Sequence, residues 1–233
     1  MLLPNHITFT GIDESIYIND AEVITRENLG RIEWGVLFSP TKSGNHPRYP
    51  DYAYVKELAR SMLPLSAHIC GYFAKKIIDT GDLDPVSPSI PWSRFQRVQV
   101  NYRPVSGDVF WKDHAVEFSK KYGVRVVLQH QLPAMPTDPR VDWLYDPSGG
   151  RGLRPEHWPR YLENKQGING YSGGLNPDKV VAELVKMNAR GPYYIDMESG
   201  VRTVDDKMDL MKVRQVLERV YGESDEEAEG LTA

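Results

Sequence analysis

The sequence predicts a single (β/α)8 TIM barrel in which a proline-rich loop replaces the fifth helix. Eight apolar or β-branched runs alternate with helical patterns along 233 residues, a length that fits one such barrel. Several runs end in glycine or small polar residues, and a barrel builds its active site from the loops at these strand ends. Alternation also fits a doubly wound open sheet, but a count of eight strands favours the closed barrel.

The elements follow from hydrophobic periodicity. Strands are predicted at residues 6–11, 31–39, 65–71, 95–102, 124–130, 142–146, 168–173 and 193–197. Helices are predicted at residues 20–28, 52–62, 72–80, 108–122, 155–164, 178–188 and 205–221. No helix is expected between residues 131 and 140, because Pro133, Pro136 and Pro139 would interrupt it.

The amino-acid composition predicts the cellular compartment and limits the kinds of binding partner that we expect. The single cysteine, Cys70, excludes an internal disulfide framework and predicts a reducing, cytoplasmic compartment. The chain has a formal net charge of −4, and residues 223–233 alone contain five carboxylates. The rest of the chain is therefore close to neutral. We therefore expect a barrel domain over residues 1–222, a disordered acidic tail over 223–233, and neither nucleic-acid nor membrane binding. The oligomeric state stays open.

Two neighbouring loops have the composition of a phosphate site. Gly173 and Gly174 end the seventh predicted strand just before the helix that starts near Asn176 and Pro177. Ser199 and Gly200 follow the eighth strand. Backbone N–H groups at such positions bind phosphate in many barrels. The alternative is that these glycines only form tight turns, but their place after strands seven and eight favours phosphate.

The order of motifs resembles phosphoribosylanthranilate isomerase, a barrel enzyme of tryptophan biosynthesis. The matches are collinear from Thr8 to Arg202 and cover nearly the whole chain. The segments that carry the resemblance are Thr8-Phe9-Thr10-Gly11, Phe38-Ser39-Pro40 with Arg48-Tyr49, Val98-Gln99-Val100-Asn101-Tyr102, Tyr145-Asp146-Pro147-Ser148-Gly149-Gly150, the complete Gly173-Gly174-Leu175-Asn176-Pro177, and 196–202.

The resemblance implies an Amadori rearrangement of a phosphorylated sugar, without a cofactor or a metal. It assigns the general acid to Asp146, and it places Thr10 where the family has its cysteine base. It assigns substrate contacts to Arg48, whose guanidinium suits a carboxylate, to Asn101, where the family has histidine, and to Asp196. A threonine hydroxyl cannot remove a carbon-bound proton unaided, so the base is missing from its usual place.

At two further positions near the predicted phosphate loops, the charge of the side chain differs from that in the family. Glu198 replaces a serine of the family, and Arg202 replaces a glutamate nearby. This exchange of signs predicts a Glu198–Arg202 ion pair. The resulting picture is a familiar architecture with an altered ligand pocket.

Three hypotheses of function follow. The first is a phosphosugar isomerase that uses Asp146, and the second is a non-catalytic barrel that binds a phosphorylated or anionic metabolite or a protein. The third is a lyase or hydrolase built around Asp146, His130 and Cys70, since a histidine at a strand end titrates near neutrality. For His130 a structural role is an equal alternative, and for His68 and Cys70 it is the favoured one.

Overall fold

Eight parallel strands close into one barrel, as the sequence predicts. In the computed structural model, the described residues are 2–83, 90–103, 111–147, 149, 151–162 and 167–222; the predicted acidic tail lies outside them. Each strand is hydrogen-bonded to the next, and the eighth to the first. The strands are β1 His6–Thr10, β2 Ile32–Phe38, β3 Leu65–Ile69, β4 Phe95–Val100, β5 Arg125–His130, β6 Asp142–Tyr145, β7 Asn169–Ser172 and β8 Tyr193–Met197.

Six α-helices of the described residues pack around the barrel. They are α1 Ile18–Glu27, α2 Tyr52–Leu58, α3 Tyr72–Thr80, α4 Trp111–Tyr122, α5 Val180–Met187 and α6 Leu210–Tyr221. The first residues predicted for the fourth helix, 108–110, lie outside the described residues. None of the described helices is both long and apolar enough to cross a membrane.

The helix predicted at 155–164 is wrong over its described part. Residues 155–162 form irregular backbone with a bend at 156–157, and Arg160 pairs with Ala134 in an isolated bridge. Pro159 explains the failure, because it removes a backbone donor and disfavours helical geometry at Trp158. Trp158 instead packs edge-on against Tyr145 and Tyr171 on the outside of the barrel. Residues 131–140 also contain no helix, so two non-helical segments lie side by side next to β5–β7.

The last helix begins five residues later than predicted. Its start is fixed by Asp209, whose side chain accepts hydrogen bonds from the backbone N–H groups of Met211 and Lys212. Residues 203–208 form a turn closed by a bridge between Arg202 and Met208. This turn places Asp206 beside the barrel mouth, where it takes part in the site described below.

The barrel interior contains several buried polar and charged side chains. Alternate residues of each strand point inward, and at the amino-terminal end these include Glu33, Arg97 and Tyr194. Arg97 donates to Glu33 over 2.6 Å and lies 4.0 Å from the ring centroid of Tyr194. We call these residues, together with His6, which stacks on Tyr194, the floor cluster. It fills the base of the barrel and leaves the opposite end open.

Candidate active site

A cavity of about 250 Å³ opens at the carboxyl ends of the strands. Seven of the residues predicted for the site line it together, from the positions directly after β4 and β6, from β8, and from the loops after β7 and β8. They are Asn101, Asp146, Gly173, Gly174, Asp196, Ser199 and Gly200. The residues predicted from strand-end loops and those predicted from the resemblance therefore share one cavity.

Thr10 reaches this cavity through Asp196. Its hydroxyl donates to the Asp196 carboxylate over 2.7 Å, between the neighbouring strands β1 and β8. Burial raises the pKa of Asp196 to about 8, and the charges of Glu198 and Asp146 add to this shift, while the Thr10 hydrogen bond opposes it. Asp196 is thus a carboxyl group that can exchange a proton near neutral pH.

Gly35 makes room for this pair. A β-carbon at Gly35 would lie 2.5 Å from the Thr10 hydroxyl oxygen and 3.0 Å from Nε2 of His68. A side chain at this position would displace one of the two groups. Its absence lets β2 pass close to the polar side chains of β1 and β3.

Asp146 is connected to a row of amide side chains. Gln129 lies with its Nε2 3.5 Å from the Asp146 carboxylate and donates over 3.1 Å to Asn101, which also accepts from Gln99 over 2.8 Å. Asp146 itself is buried, and its backbone N–H donates to the carbonyl of His130. The row spans β4, β5 and β6 and fixes the wall of the cavity that carries Asp146.

The loops after β7 and β8 form the rim. Gly173 and Gly174 have φ angles of 126° and 60°, which an L-residue other than glycine rarely adopts. Within the described residues, no acceptor is found for the backbone N–H groups of Gly173, Gly174, Ser199 or Gly200. These donors are suited to an anion.

The charged residues at the rim pair differently from the prediction. The predicted Glu198–Arg202 pair is wrong: Glu198 pairs with Arg48 over 2.6 Å, and Arg202 pairs with Asp13 over 2.7 Å. Asp206 joins both arginines, at 2.8 Å from Arg48 and 3.0 Å from Arg202. The turn before α6 supplies this extra carboxylate, so each arginine has two acidic partners. The guanidinium of Arg48 is therefore already compensated by Glu198 and Asp206.

His130 does not join the central cavity. It belongs to the outward-facing residues of β5, where its Nε2 lies 3.1 Å from the sulfur of Met135 and its ring packs against Trp143 and Tyr145. Burial lowers the pKa of His130 to about 4, so the imidazole is neutral at physiological pH. Its predicted role as a catalytic acid or base finds no support in this position.

Cys70 and His68 are held as neutral groups. Burial raises the pKa of the Cys70 thiol, although hydrogen bonds from Asn101 and Tyr49 oppose the shift. Burial lowers the pKa of His68 to about 4, and its Nε2 lies 3.1 Å from the hydroxyl of Ser66. A half-buried thiol of raised pKa is a poor nucleophile.

Sequence reasoning missed four residues that shape the site: Gln99, Gln129, Gly35 and Asp206. Gln99 could have been found, because it lies two residues before the predicted site residue Asn101 and so shares its face. Gln129 immediately precedes His130, so alternation places it on the opposite face of β5 from the residue that was predicted. Gly35 and Asp206 carry no local signal. Their roles depend on neighbours that are distant in the sequence.

Comparisons with known proteins agree on the architecture. A phosphoribosylanthranilate isomerase from Thermotoga maritima, solved as monomers generated from the dimeric enzyme, shares 17% identity, with a TM-score of 0.53 over 94% of this chain and 99% of that one. The isomerase TrpF from Jonesia denitrificans gives 17% identity and a TM-score of 0.60 over 93% and 97%. The fold is that of phosphoribosylanthranilate isomerases.

A third solved structure adds a ligand. It is a phosphoribosylanthranilate isomerase in complex with reduced 1-(o-carboxyphenylamino)-1-deoxyribulose 5-phosphate, with 16% identity and a TM-score of 0.55 over 94% of this chain and 99% of that one. No family model matches the chain. No curated protein matches it either. At such identities the likeness concerns the fold, and the chemistry has to be argued from the site.

Proposed function

We propose that this protein is an isomerase related to phosphoribosylanthranilate isomerase that converts a phosphorylated glycosylamine into an aminoketose. The observation that carries the proposal is the pair of buried carboxyl groups, Asp146 and Asp196, on the walls of one cavity. The fold and the phosphorylated ligand of a structural neighbour support it. An Amadori rearrangement needs one acid and one base.

Asp146 takes the role of the acid. It donates a proton to the ring oxygen while the bond from that oxygen to C1 breaks and the nitrogen lone pair forms the C1–N double bond. The row of amides through Gln129 and Asn101 holds this carboxyl group against the cavity. This assignment follows the resemblance and agrees with the position of Asp146 at the end of β6.

Asp196 takes the role of the base that Thr10 cannot fill. Its carboxylate removes the proton from C2, the C–H electrons form a C1–C2 double bond, and the C–N double bond returns its electrons to nitrogen. The resulting enol then transfers its hydroxyl proton, by way of solvent, to C1 and gives the ketone. The raised pKa makes the ionised carboxylate a stronger base, and Thr10 positions it.

The phosphate binds at the rim. The backbone N–H groups of Gly173, Gly174, Ser199 and Gly200 supply the donors, as the composition of these loops predicts. Glu198 would repel the phosphate, but its pairing with Arg48 offsets that charge. In this proposal Arg48 holds the rim together through Glu198 and the hydroxyl of Ser199.

The two rival hypotheses have less support. A lyase or hydrolase built around Asp146, His130 and Cys70 would need a reactive thiol close to the imidazole, whereas the thiol has a raised pKa and lines a different cavity from His130. A non-catalytic binding protein would have no need of a carboxyl group that titrates near neutral pH. We therefore retain it only as an outcome of the test.

The test is direct turnover of phosphoribosylanthranilate by the purified protein, with rescue of a tryptophan auxotroph that lacks the isomerase. Asp146→Asn and Asp196→Asn should each lower turnover by about 10²- to 10⁴-fold. Asp20→Asn, on the exposed face of α1, should leave it unchanged. Turnover that survives both substitutions contradicts the mechanism. Tight phosphate binding without turnover by the wild type favours the binding protein.

A further inference from the structure

The central cavity, which carries the proposed phosphate rim, contains acidic side chains but no strongly basic one. Among its described lining residues are three carboxyl groups, those of Asp146, Asp196 and Glu198, and none of these residues is a lysine or an arginine. A phosphate ester has between one and two negative charges at pH 7, and arginine or lysine usually compensates them. At this rim the donors are backbone N–H groups and the hydroxyl of Ser199.

The ion pairs beside the rim leave no positive charge to spare. They form a chain in which acids and arginines alternate, from Asp13 through Arg202, Asp206 and Arg48 to Glu198, with contacts of 2.6–3.0 Å. Each guanidinium group is shared by two carboxylates. Because three carboxylates face two guanidinium groups, the chain has one excess negative charge, and a phosphate group at the rim would add to it.

Glu198 is the member of this chain that lines the central cavity, directly before Ser199 and Gly200. Its Oε1 accepts a hydrogen bond from Arg48 over 2.6 Å, and within the described residues no partner is found for its Oε2. Burial raises the pKa of Glu198, although the hydrogen bond and the charge of Arg48 oppose the shift. A protonated Glu198 can therefore keep its bond from Arg48 through one oxygen and donate a hydrogen bond through the other.

We infer that the rim binds its phosphate group together with one proton, which Glu198 takes up from solvent. Oε1 keeps the hydrogen bond from Arg48, and the proton on Oε2 is donated in a hydrogen bond to a phosphate oxygen. Glu198 thereby changes from a carboxylate that repels the anion into a donor that binds it. The inference rests on the phosphate site of the proposed function and deepens it, because it makes Glu198 a specificity residue for the charge of the ligand.

Other charged or titratable groups also face Glu198. Besides the ion-pair chain and Asp146, they are Lys42, His46 and Tyr49 in the loop after β2, Cys70 after β3, Arg103 after β4, and Asp196 in β8. The pKa of Asp196, about 8, lies above a test range of pH 5 to 7. All these groups are present both in the wild type and in variants of Glu198, so a difference between those proteins belongs to Glu198.

Sulfate is a suitable probe, because it has the shape of phosphate and stays doubly charged from pH 5 to pH 7. Its dissociation constant would be measured by titration calorimetry at constant ionic strength in wild type, Glu198→Gln, Glu198→Ser and Asp206→Asn. Glutamine imitates the protonated acid, and serine removes the group. Asp206→Asn is the matched control, since Asp206 also pairs with Arg48 but lines only a separate cavity of about 430 Å³. Circular dichroism and thermal unfolding would establish that each variant is folded.

We expect the affinity of the wild type for sulfate to fall by about tenfold or more from pH 5 to pH 7, because the proton taken up on binding becomes scarcer. Both Glu198 variants should change by less than about threefold over this range and should bind sulfate more tightly than the wild type at pH 7. Asp206→Asn should keep the pH dependence of the wild type. The same pH dependence in the wild type and in both Glu198 variants, or no sulfate binding to any of the proteins, would overturn the inference.

Sulfate binding needs no turnover, so the two proposals can fail separately. A protein that binds sulfate as expected but does not convert phosphoribosylanthranilate refutes only the proposed function. Turnover by a protein whose sulfate affinity depends on pH in the same way with and without Glu198 refutes only the uptake of a proton.

Discussion

Two of the buried acidic groups in the barrel interior have opposite surroundings. In the floor cluster, burial alone would raise the pKa of Glu33, but the charge and the hydrogen bonds of Arg97 outweigh it and lower the pKa to about 2. At the mouth, Asp196 has a neutral partner, Thr10, and burial raises its pKa to about 8. Both side chains are buried within the same barrel.

The pKa values of Glu33 and Asp196 differ because the two carboxyl groups have different hydrogen-bond partners. A guanidinium neutralises the carboxylate of Glu33 and fixes its ionised form across the physiological range, so that pair serves structure. A hydroxyl donates only one hydrogen bond, so Asp196 keeps its proton at neutrality and can release it at mildly alkaline pH. A carboxyl group is therefore ionised across the physiological pH range in the floor cluster, whereas a carboxyl group at the open end of the barrel can titrate.

Removing the floor carboxylate should have the largest effect on folding. Glu33→Gln leaves the buried guanidinium of Arg97 without its counter-charge, and we expect the free energy of unfolding to fall by about 3–5 kcal/mol. The measurement is urea denaturation at pH 7. Glu27→Gln, which breaks the exposed pair with Arg214, is the control and should cost less than about 1 kcal/mol. Equal losses in the two variants would show that the floor pair has no special role.

Asp196 and Glu33 should make the free energy of unfolding depend on pH in opposite directions. The folded pKa of Asp196 is raised, so its contribution is present at acidic pH and is lost as the pH rises towards about 8. Relative to Asp196→Asn, the wild type should lose up to about 1.4 kcal/mol per pH unit between the unfolded and folded pKa values. The folded pKa of Glu33 is lowered, so its contribution is lost as the pH falls from about 4 towards 2. If the free energy of unfolding depends on pH in the same way in wild type and in Asp196→Asn, the raised pKa of Asp196 is contradicted.

A negative charge at the rim should weaken phosphate binding. Ser199→Asp places a carboxylate beside the N–H groups of Gly173 and Gly200, and we expect the affinity for inorganic phosphate, followed by ³¹P NMR, to fall about tenfold or more. Ser93→Asp makes the same change at an exposed position in the turn before β4, at the far end of the barrel. Similar phosphate affinities in the two variants would show that phosphate does not bind at the rim.

The smallest effect should come from the hydroxyl of Thr10. Thr10→Val removes the hydrogen bond that opposes the raised pKa of Asp196, so the midpoint of the pH–rate profile should move upward by about one unit. Thr8→Val, two residues earlier on β1 and bonded to Glu33, should leave the midpoint in place. A midpoint that moves downward in Thr10→Val would contradict the role of the pair.

Local pattern was enough to predict the barrel and the strand ends that carry the site. The glycines after β7 were predicted because strand-end loops converge in this fold, whereas Asp146 and Asp196 were predicted from the resemblance. The pairing of Arg48 was not predictable, since Glu198 and Asp206 are 150 and 158 residues away in sequence. The false helix at 155–162 arose because helical spacing was given more weight than the effect of Pro159.

The most direct test is the pH dependence of kcat/KM for phosphoribosylanthranilate turnover, measured for the wild type and for Asp196→Asn. If Asp196 is the base, kcat/KM rises with pH to a plateau with an apparent pKa of about 8, and Asp196→Asn loses the rise together with the activity. A profile that falls as the pH passes 8 would make Asp196 the acid. Activity that persists in Asp196→Asn with an unchanged profile would show that the base lies elsewhere.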